Sequence, residues 1–308
     1  MTKRMHVLAV TDFSEAANVA LRQANGVARL KGARLSVLHV VPDFVRANPL
    51  FPQGSAEDID TEVELEKRAL DELSARVKDV TGRPASEVEL AVRVGAVDVA
   101  VVRFAEENEI DLIVVGATGR TGLARMLLGG TAERIVRYAH CSVLVARETA
   151  ASGKVLVATD LSDPALPAVQ EGKEMARLRG EKLSLLHVMD FSALGWAAAG
   201  GPLGGFSVPI PQDRINEMRR LATETLAALG GNEAEVQVAD GAPKRAIVAA
   251  AEASGADLLV MGTHGRTGLA RMALGSVAES VIEAAPCSVL VVRAHGSKPH
   301  AAPAGNFG

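Results

Sequence analysis

The chain repeats itself. Residues 6–14 (HVLAVTDFS) recur at 154–162 (KVLVATDLS), and 35–40 (LSVLHV) recur at 183–188 (LSLLHV), both at an offset of 148. Further on, 116–126 (GATGRTGLARM) recur at 262–272 (GTHGRTGLARM) and 141–145 (CSVLV) at 287–291, now at an offset of 146. The second copy has therefore lost two residues between His187 and Gly241. A chain of 308 residues so divided must fold one unit twice, because each copy carries the same ordered set of apolar runs. The expected domains are 1–150 and 151–296, joined near 149–153. The Ala/Pro/Gly/His-rich end at 297–308 is expected to be disordered.

Within the first copy, short apolar runs alternate with helical patterns. The spacing predicts strands over 5–11, 34–41, 87–94, 111–116 and 142–147, with helices over 14–30, about 56–79, 97–107 and about 130–140. Most strand runs are β-branched and apolar throughout, such as Leu112, Ile113, Val114 and Val115, as expected where helices cover both faces of a sheet. Aromatic residues make up only 3% of the chain, so the core is aliphatic. The expected fold class is α/β, with two tandem domains, each a five-stranded doubly wound parallel sheet. In such sheets a ligand sits beyond the carboxyl ends of the strands, where strand order reverses. The segments that follow Val10, Val40, Val115 and their repeats are the ones to inspect.

Charge excludes several partners. Residues 1–150 hold 19 Lys and Arg against 21 Asp and Glu, and the remainder 14 against 16, so each half stands at −2 without a basic arm or patch. Neither nucleic acid nor a membrane surface is an expected partner. Cys141 and Cys287 are the only cysteines, which rules out a disulfide scaffold and suits a reducing, cytoplasmic location. The first apolar run stops at Asp12, too short for a signal peptide. The uncharged stretch 191–212 holds five Gly and three Pro and reads as a loop, not a membrane span.

After the fourth strand of the second copy come Gly262, Gly265 and, after nine intervening residues, Gly275 and Ser276 at the start of a helix. Gly262 and Gly265 let the backbone turn and approach a ligand with no Cβ in the way. The helix N-terminus presents unpaired N–H groups that favour an anion. The Ser276 hydroxyl either caps the helix or donates to a phosphate oxygen. The loop is also cationic, through Arg266 and Arg271. Asp160 ends the first strand at the same edge, where a carboxylate accepts a ribose hydroxyl, helps hold a divalent ion or caps the following helix. A structural strand-to-helix loop remains the alternative for the whole arrangement.

Thr-Asp-x-Ser on the first strand, Leu-His-Val on the second, and Gly-x-x-Gly, nine residues, Gly-Ser after the fourth resemble the universal stress proteins. The resemblance covers about 290 residues as two tandem Rossmann-like domains of the adenine-nucleotide alpha-hydrolase-like kind. It implies an ATP site, with Mg2+ accompanying the nucleotide, and no metal held by side chains alone. In the second domain it places Asp160 near the ribose, the Val188 backbone beside adenine and Met261 along the pocket. Gly262, Gly265, Gly275, Ser276 and Val277 then surround the phosphates, with Arg266 and Arg271 near them. The first domain carries the same set on Asp12, Val40, Val115, Gly116, Gly119, Arg120, Arg125, Gly129, Gly130 and Thr131. There Gly130 stands where the family has Ser or Thr, and the lost hydroxyl predicts weaker binding in the first domain unless Thr131 compensates.

No catalytic residue is assigned. His264 of the second loop is replaced by Thr118 in the first, and neither copy has a P-loop lysine, a Gly-x-Ser-x-Gly or a Cys-x-x-Cys. His39 and His187 read as structural, and Cys141 and Cys287 as packing residues. The leading expectation is a nucleotide-binding regulatory protein, for which the resemblance implies stress-linked roles in starvation, hypoxia or oxidative challenge. A slow ATPase or a protein phosphorylating itself on Ser276 is the alternative enzyme reading, and a nucleotide-free scaffold the third. The matched apolar strands 142–146 and 288–292 would be a pairing hazard if exposed. From the family, they are expected to pair the two domains within the chain, with a homodimer as a further possibility. The loops at 42–55 and 190–211, the latter with Trp196 and Phe206, read as local packing or as a lid over the base.

Overall fold

The computed structural model describes residues 4–42, 56–118, 128–149, 152–191, 210–263 and 274–293. The chain divides into two compact units, the first running to Glu148 and the second starting at Thr149. In the first unit β1 (His6–Thr11), β2 (Arg34–Val41), β3 (Glu89–Val94), β4 (Leu112–Gly116) and β5 (Ser142–Ala146) alternate with α1 (Glu15–Leu30), α2 (Ala56–Thr81), α3 (Val97–Glu107) and α4 (Gly130–Tyr138). The strands lie in the order β3-β2-β1-β4-β5, with every pairing parallel. In the second unit β6 (Lys154–Ala158), β7 (Lys182–Met189), β8 (Ala234–Asp240), β9 (Leu258–Gly262) and β10 (Ser288–Val292) alternate with α5 (Leu166–Arg179), α6 (Gln212–Gly230), α7 (Pro243–Ser254) and α8 (Ser276–Ala284). Its order, β8-β7-β6-β9-β10, is the same one, again all parallel. Each unit is the doubly wound α/β sheet expected, and strand order reverses between β1 and β4 and between β6 and β9.

The central strands are buried on both faces because helices cover both. Leu8, Ile113 and Leu38 are fully buried in the first unit, as are Leu156, Leu185 and Leu258 in the second. Each such side chain contributes about 1.5–3 kcal/mol through burial. The helix α5 lies so close to β6 that a Cβ on Gly172 would sit 2.3 Å from Val157 Cγ2. In the first unit the matching residue is Ala24, itself fully buried on α1.

Two boundaries differ from expectation, both through proline. The helix expected near Ser162 begins only at Leu166, after a 3-10 turn over Asp163–Ala165. In a helix starting at Ser162, Pro167 would have no N–H for the carbonyl of Asp163 and its ring would press on that carbonyl. A second 3-10 turn, Ala85–Glu87, follows Pro84 and displaces the start of β3 to Glu89.

At the amino edge of the first sheet, His6 is 1% exposed. Its Nδ1 lies 2.6 Å from Arg34 Nη2 and 3.1 Å from the Asn108 carbonyl, and its Nε2 faces Ser36 Oγ at 2.7 Å. Ser36 in turn donates to Glu89 Oε2 at 2.9 Å. Burial first, and the Arg34 charge second, lower the His6 pKa below its ordinary 6.5. In the second unit Lys154 replaces this histidine, and Asp257, the counterpart of Asp111, which accepts from His6 N at 2.8 Å, organises the edge. Its carboxylate accepts from the backbone N–H groups of Ser152, Gly153 and Lys154 at 2.9, 2.6 and 3.3 Å and from Ser152 Oγ at 3.2 Å. Burial pushes this carboxyl up, but those hydrogen bonds outweigh it and hold the pKa below the usual carboxylate value.

Candidate functional site

The Thr-Asp-x-Ser segments build the same turn in both units. Thr11 Oγ1 accepts from Phe13 N at 3.0 Å and Asp12 Oδ1 from Ser14 N at 3.0 Å. In the second unit Thr159 Oγ1 accepts from Leu161 N and Asp160 Oδ1 from Ser162 N, each at 3.1 Å, and Ser162 Oγ donates to the same carboxylate oxygen at 2.6 Å. The residue between Asp and Ser is left-handed in each, Phe13 at φ 64° and Leu161 at φ 63°. Such a conformation costs about 1–2 kcal/mol for a residue with a Cβ. The side-chain hydrogen bonds offset that cost and hold the carboxylate at the edge of the sheet. Ser14 then caps α1 by accepting from Ala17 N. Asp160 thus shapes the turn, and no side chain caps the 3-10 segment behind it.

The glycine segments return to the sheet beside these turns. Gly129 N donates to Ala117 O at 2.7 Å and Gly275 N to Thr263 O at 2.9 Å. Gly129 and Gly275 are themselves the N-cap residues of α4 and α8, and neither helix has a side-chain cap. Ser276 is therefore the first helical residue, not the cap that its position in sequence allowed, and it is exposed. The first N–H groups of both helices are left to partners other than a capping side chain. Glycine is required sterically at Gly116, where a Cβ would lie 2.8 Å from Ala16 O, and favoured at Gly275, where one would press on Thr263 O at 3.0 Å.

Each unit has a cleft at its switch point. The first, about 370 Å³, brings together Asp12, Val40, Val115, Gly116, Gly129, Gly130 and Thr131. The second, about 440 Å³, brings together Asp160, Val188, Met261, Gly262, Gly275, Ser276 and Val277. Gly119, Arg120, Arg125, Gly265, Arg266 and Arg271 lie outside the described residues, as do His264, Trp196, Phe206 and the tail at 297–308. Both histidines tie the second strand to the first: His39 Nδ1 and His187 Nδ1 each donate to a threonine carbonyl, Thr11 O and Thr159 O, at 2.9 Å. His39 also lines the first cleft, with its ring 4.4 Å from that of Phe13. Cys141 and Cys287 are buried.

The universal stress protein family model matches residues 3–147 and again residues 152–293. The chain belongs to the universal stress protein family. A universal stress protein of Mycolicibacterium smegmatis is 28% identical over 296 residues, covering 93% of this chain and 96% of the relative. One from Methanocaldococcus jannaschii is 35% identical over 143 residues, covering 46% of this chain and 81% of the relative. The crystal structure of a universal stress protein from Archaeoglobus fulgidus covers 94% of this chain and 98% of that one at 24% identity, with a TM-score of 0.65. That likeness supports the fold.

Residue-by-residue reading missed several cleft walls of this universal stress protein. Val97 lines the first cleft, and Pro243 and Ile247 line the second. They stand near the starts of α3 and α7, where an apolar residue reads as ordinary core. Asp190 of the second cleft and Pro42 of the first also escaped notice. Comparing the two copies position by position just past the second strand would have exposed that pair. Among the described residues, no group of three or more His, Cys, Asp or Glu is placed to hold a metal ion, and no helix is long and apolar enough to cross a membrane.

Proposed function

We propose that this universal stress protein binds an adenine nucleotide, ATP accompanied by Mg2+, in each of its two clefts, and that occupancy regulates contact with a partner in a stress response. One observation carries the reading: in both clefts an uncapped helix N-terminus with a glycine N-cap faces the same space as a carboxylate ending the first strand. The first feature suits phosphate and the second suits ribose hydroxyls. The clefts also fit the nucleotide's shape, since apolar residues such as Val40 and Val115, or Val188 and Met261, offer walls for a flat base. Asp160 and Asp12 would hold the ribose, Gly275, Ser276 and Val277 or Gly129, Gly130 and Thr131 the phosphates, and Arg266, Arg271, Arg120 and Arg125 would neutralise charge from the loops. Gly119 and Gly265 would give those loops their turns. ATP released by acid from the freshly purified protein, or bound on titration in a calorimeter, tests this directly. A protein that neither carries nor binds nucleotide is the scaffold of the third expectation.

A second reading rests on Ser276, an exposed hydroxyl on the wall of the second cleft. Transfer of the terminal phosphoryl group to Ser276 Oγ would release ADP, with the hydroxyl proton passing to water. Retention of label from γ-labelled ATP, and its loss in Ser276→Ala, would establish this activity. Pairing of the domains through their last strands, homodimerisation and a cytoplasmic location belong to the same proposal on the family resemblance.

A further inference from the structure

Asp190 distinguishes the two clefts. It follows β7 directly, and Met189 O beside it accepts from Gly241 N at 3.1 Å. In the first unit Val41 O accepts from Gly95 N at 3.0 Å in the same way, and the next residue is Pro42. Pro42 and Asp190 therefore occupy the same place, and both line their clefts. One offers no side-chain hydrogen-bonding group and the other a carboxylate.

The sheet fixes which end of a nucleotide Asp190 would meet. Ala158 of β6 lies level with Leu186 of β7 on one side and Met261 of β9 on the other. Adjacent strands are about 4.8 Å apart, so β7 and β9 are separated by about 10 Å. At the end of β9 stands Gly262, with the glycine-capped start of α8 beyond it, past β6 lies Asp160, and past β7 lies Asp190. Phosphate, ribose and base follow one another in that order. The rest of the base end is apolar, formed by Leu186, Val188, Pro243 and Ile247. A carboxylate among such walls accepts hydrogen bonds and donates none, so it favours a base that presents a donor.

We propose that Asp190 adds a base-reading contact to the second cleft, accepting a hydrogen bond from the exocyclic amino group of adenine beyond what the Val188 backbone offers, and that the first cleft, with Pro42 in its place, lacks this added selection. The inference rests on the nucleotide reading above. Inosine triphosphate presents a carbonyl where ATP presents the amino group, and two acceptors facing each other repel.

The test uses the full chain and titrates ATP and inosine triphosphate with Mg2+ into wild type, Asp190→Asn and Pro42→Asp. In the wild type one site should prefer ATP over inosine triphosphate by about tenfold more than the other does. In Asp190→Asn the amide can turn either its oxygen or its NH2 to the base, so the preference should collapse with the fold intact. Pro42→Asp should create a preference at the first site. If ATP binds and Asp190→Asn leaves the ratio of the two affinities unchanged, or weakens both nucleotides alike, the assignment of Asp190 is overturned while the nucleotide reading stands. If wild type binds neither nucleotide, the nucleotide reading fails and this inference with it.

Discussion

Gly130→Ser restores to the first cleft the hydroxyl that Ser276 supplies in the second. The structure has room for it: a Cβ at position 130 meets only Arg134 Nη1, at 3.4 Å, an ordinary van der Waals contact with the end of a flexible side chain. The residue is exposed at the first position of α4, behind a glycine N-cap with no side-chain cap. The change therefore costs no packing, and replacing glycine in a helix gains a few tenths of a kcal/mol. One added hydrogen bond to a charged phosphate contributes about 1.5–3 kcal/mol. At 1.4 kcal/mol per decade, this predicts ATP binding about ten- to hundredfold tighter at the first site. Isothermal titration of the full chain with ATP and Mg2+ measures it, and Ser276→Gly should weaken the second site by a similar factor. Unchanged affinities in both variants would refute the phosphate assignment of this helix turn.

Three further outcomes follow from the packing and the edges of the sheets. Because the folded pKa of His6 is lowered, the folded unit disfavours the protonated ring; the stability this confers is present above pH 6.5 and is lost as pH falls below it toward the folded value. Urea midpoints should drop between pH 7.5 and pH 5.5 more in wild type than in His6→Gln, and parallel pH profiles would remove His6 as the cause. Asp257→Ala should destabilise the second unit by about 2–4 kcal/mol, since it leaves three backbone N–H groups at the start of β6 unpaired. A thermal melt indistinguishable from wild type would show that water replaces the carboxylate. Gly172→Ala should cost about 1–3 kcal/mol by forcing a methyl against Val157, and Val157→Ala should rescue it, with coupling read from a double-mutant cycle.

The repeat, the parallel sheets and the switch-point clefts were legible because they follow from periodicity and from strand order, which a duplicated sequence states twice. The Thr-Asp-x-Ser turn was legible as a place but not as a geometry. Nothing in a phenylalanine or a leucine announces a left-handed backbone at Phe13 and Leu161, since the hydrogen bonds of Thr11 and Asp12, or Thr159 and Asp160, impose it. Ser276 misled for a related reason: serine is a good N-cap, yet Gly275, whose position is tight against Thr263 O, is the capping residue and Ser276 the first residue of the helix. Asp190 stayed hidden because a charged residue after a strand usually reads as solvated loop. Only the fold turns that position toward a cleft.

The central claim is that each repeat holds an adenine nucleotide at the reversal of its strand order. Counting ATP bound per chain at saturation, by equilibrium dialysis with Mg2+, tests it most directly. The stoichiometry should approach two, falling to one in Asp160→Ala combined with Gly275→Val. A wild-type chain that stays empty at millimolar ATP would contradict it.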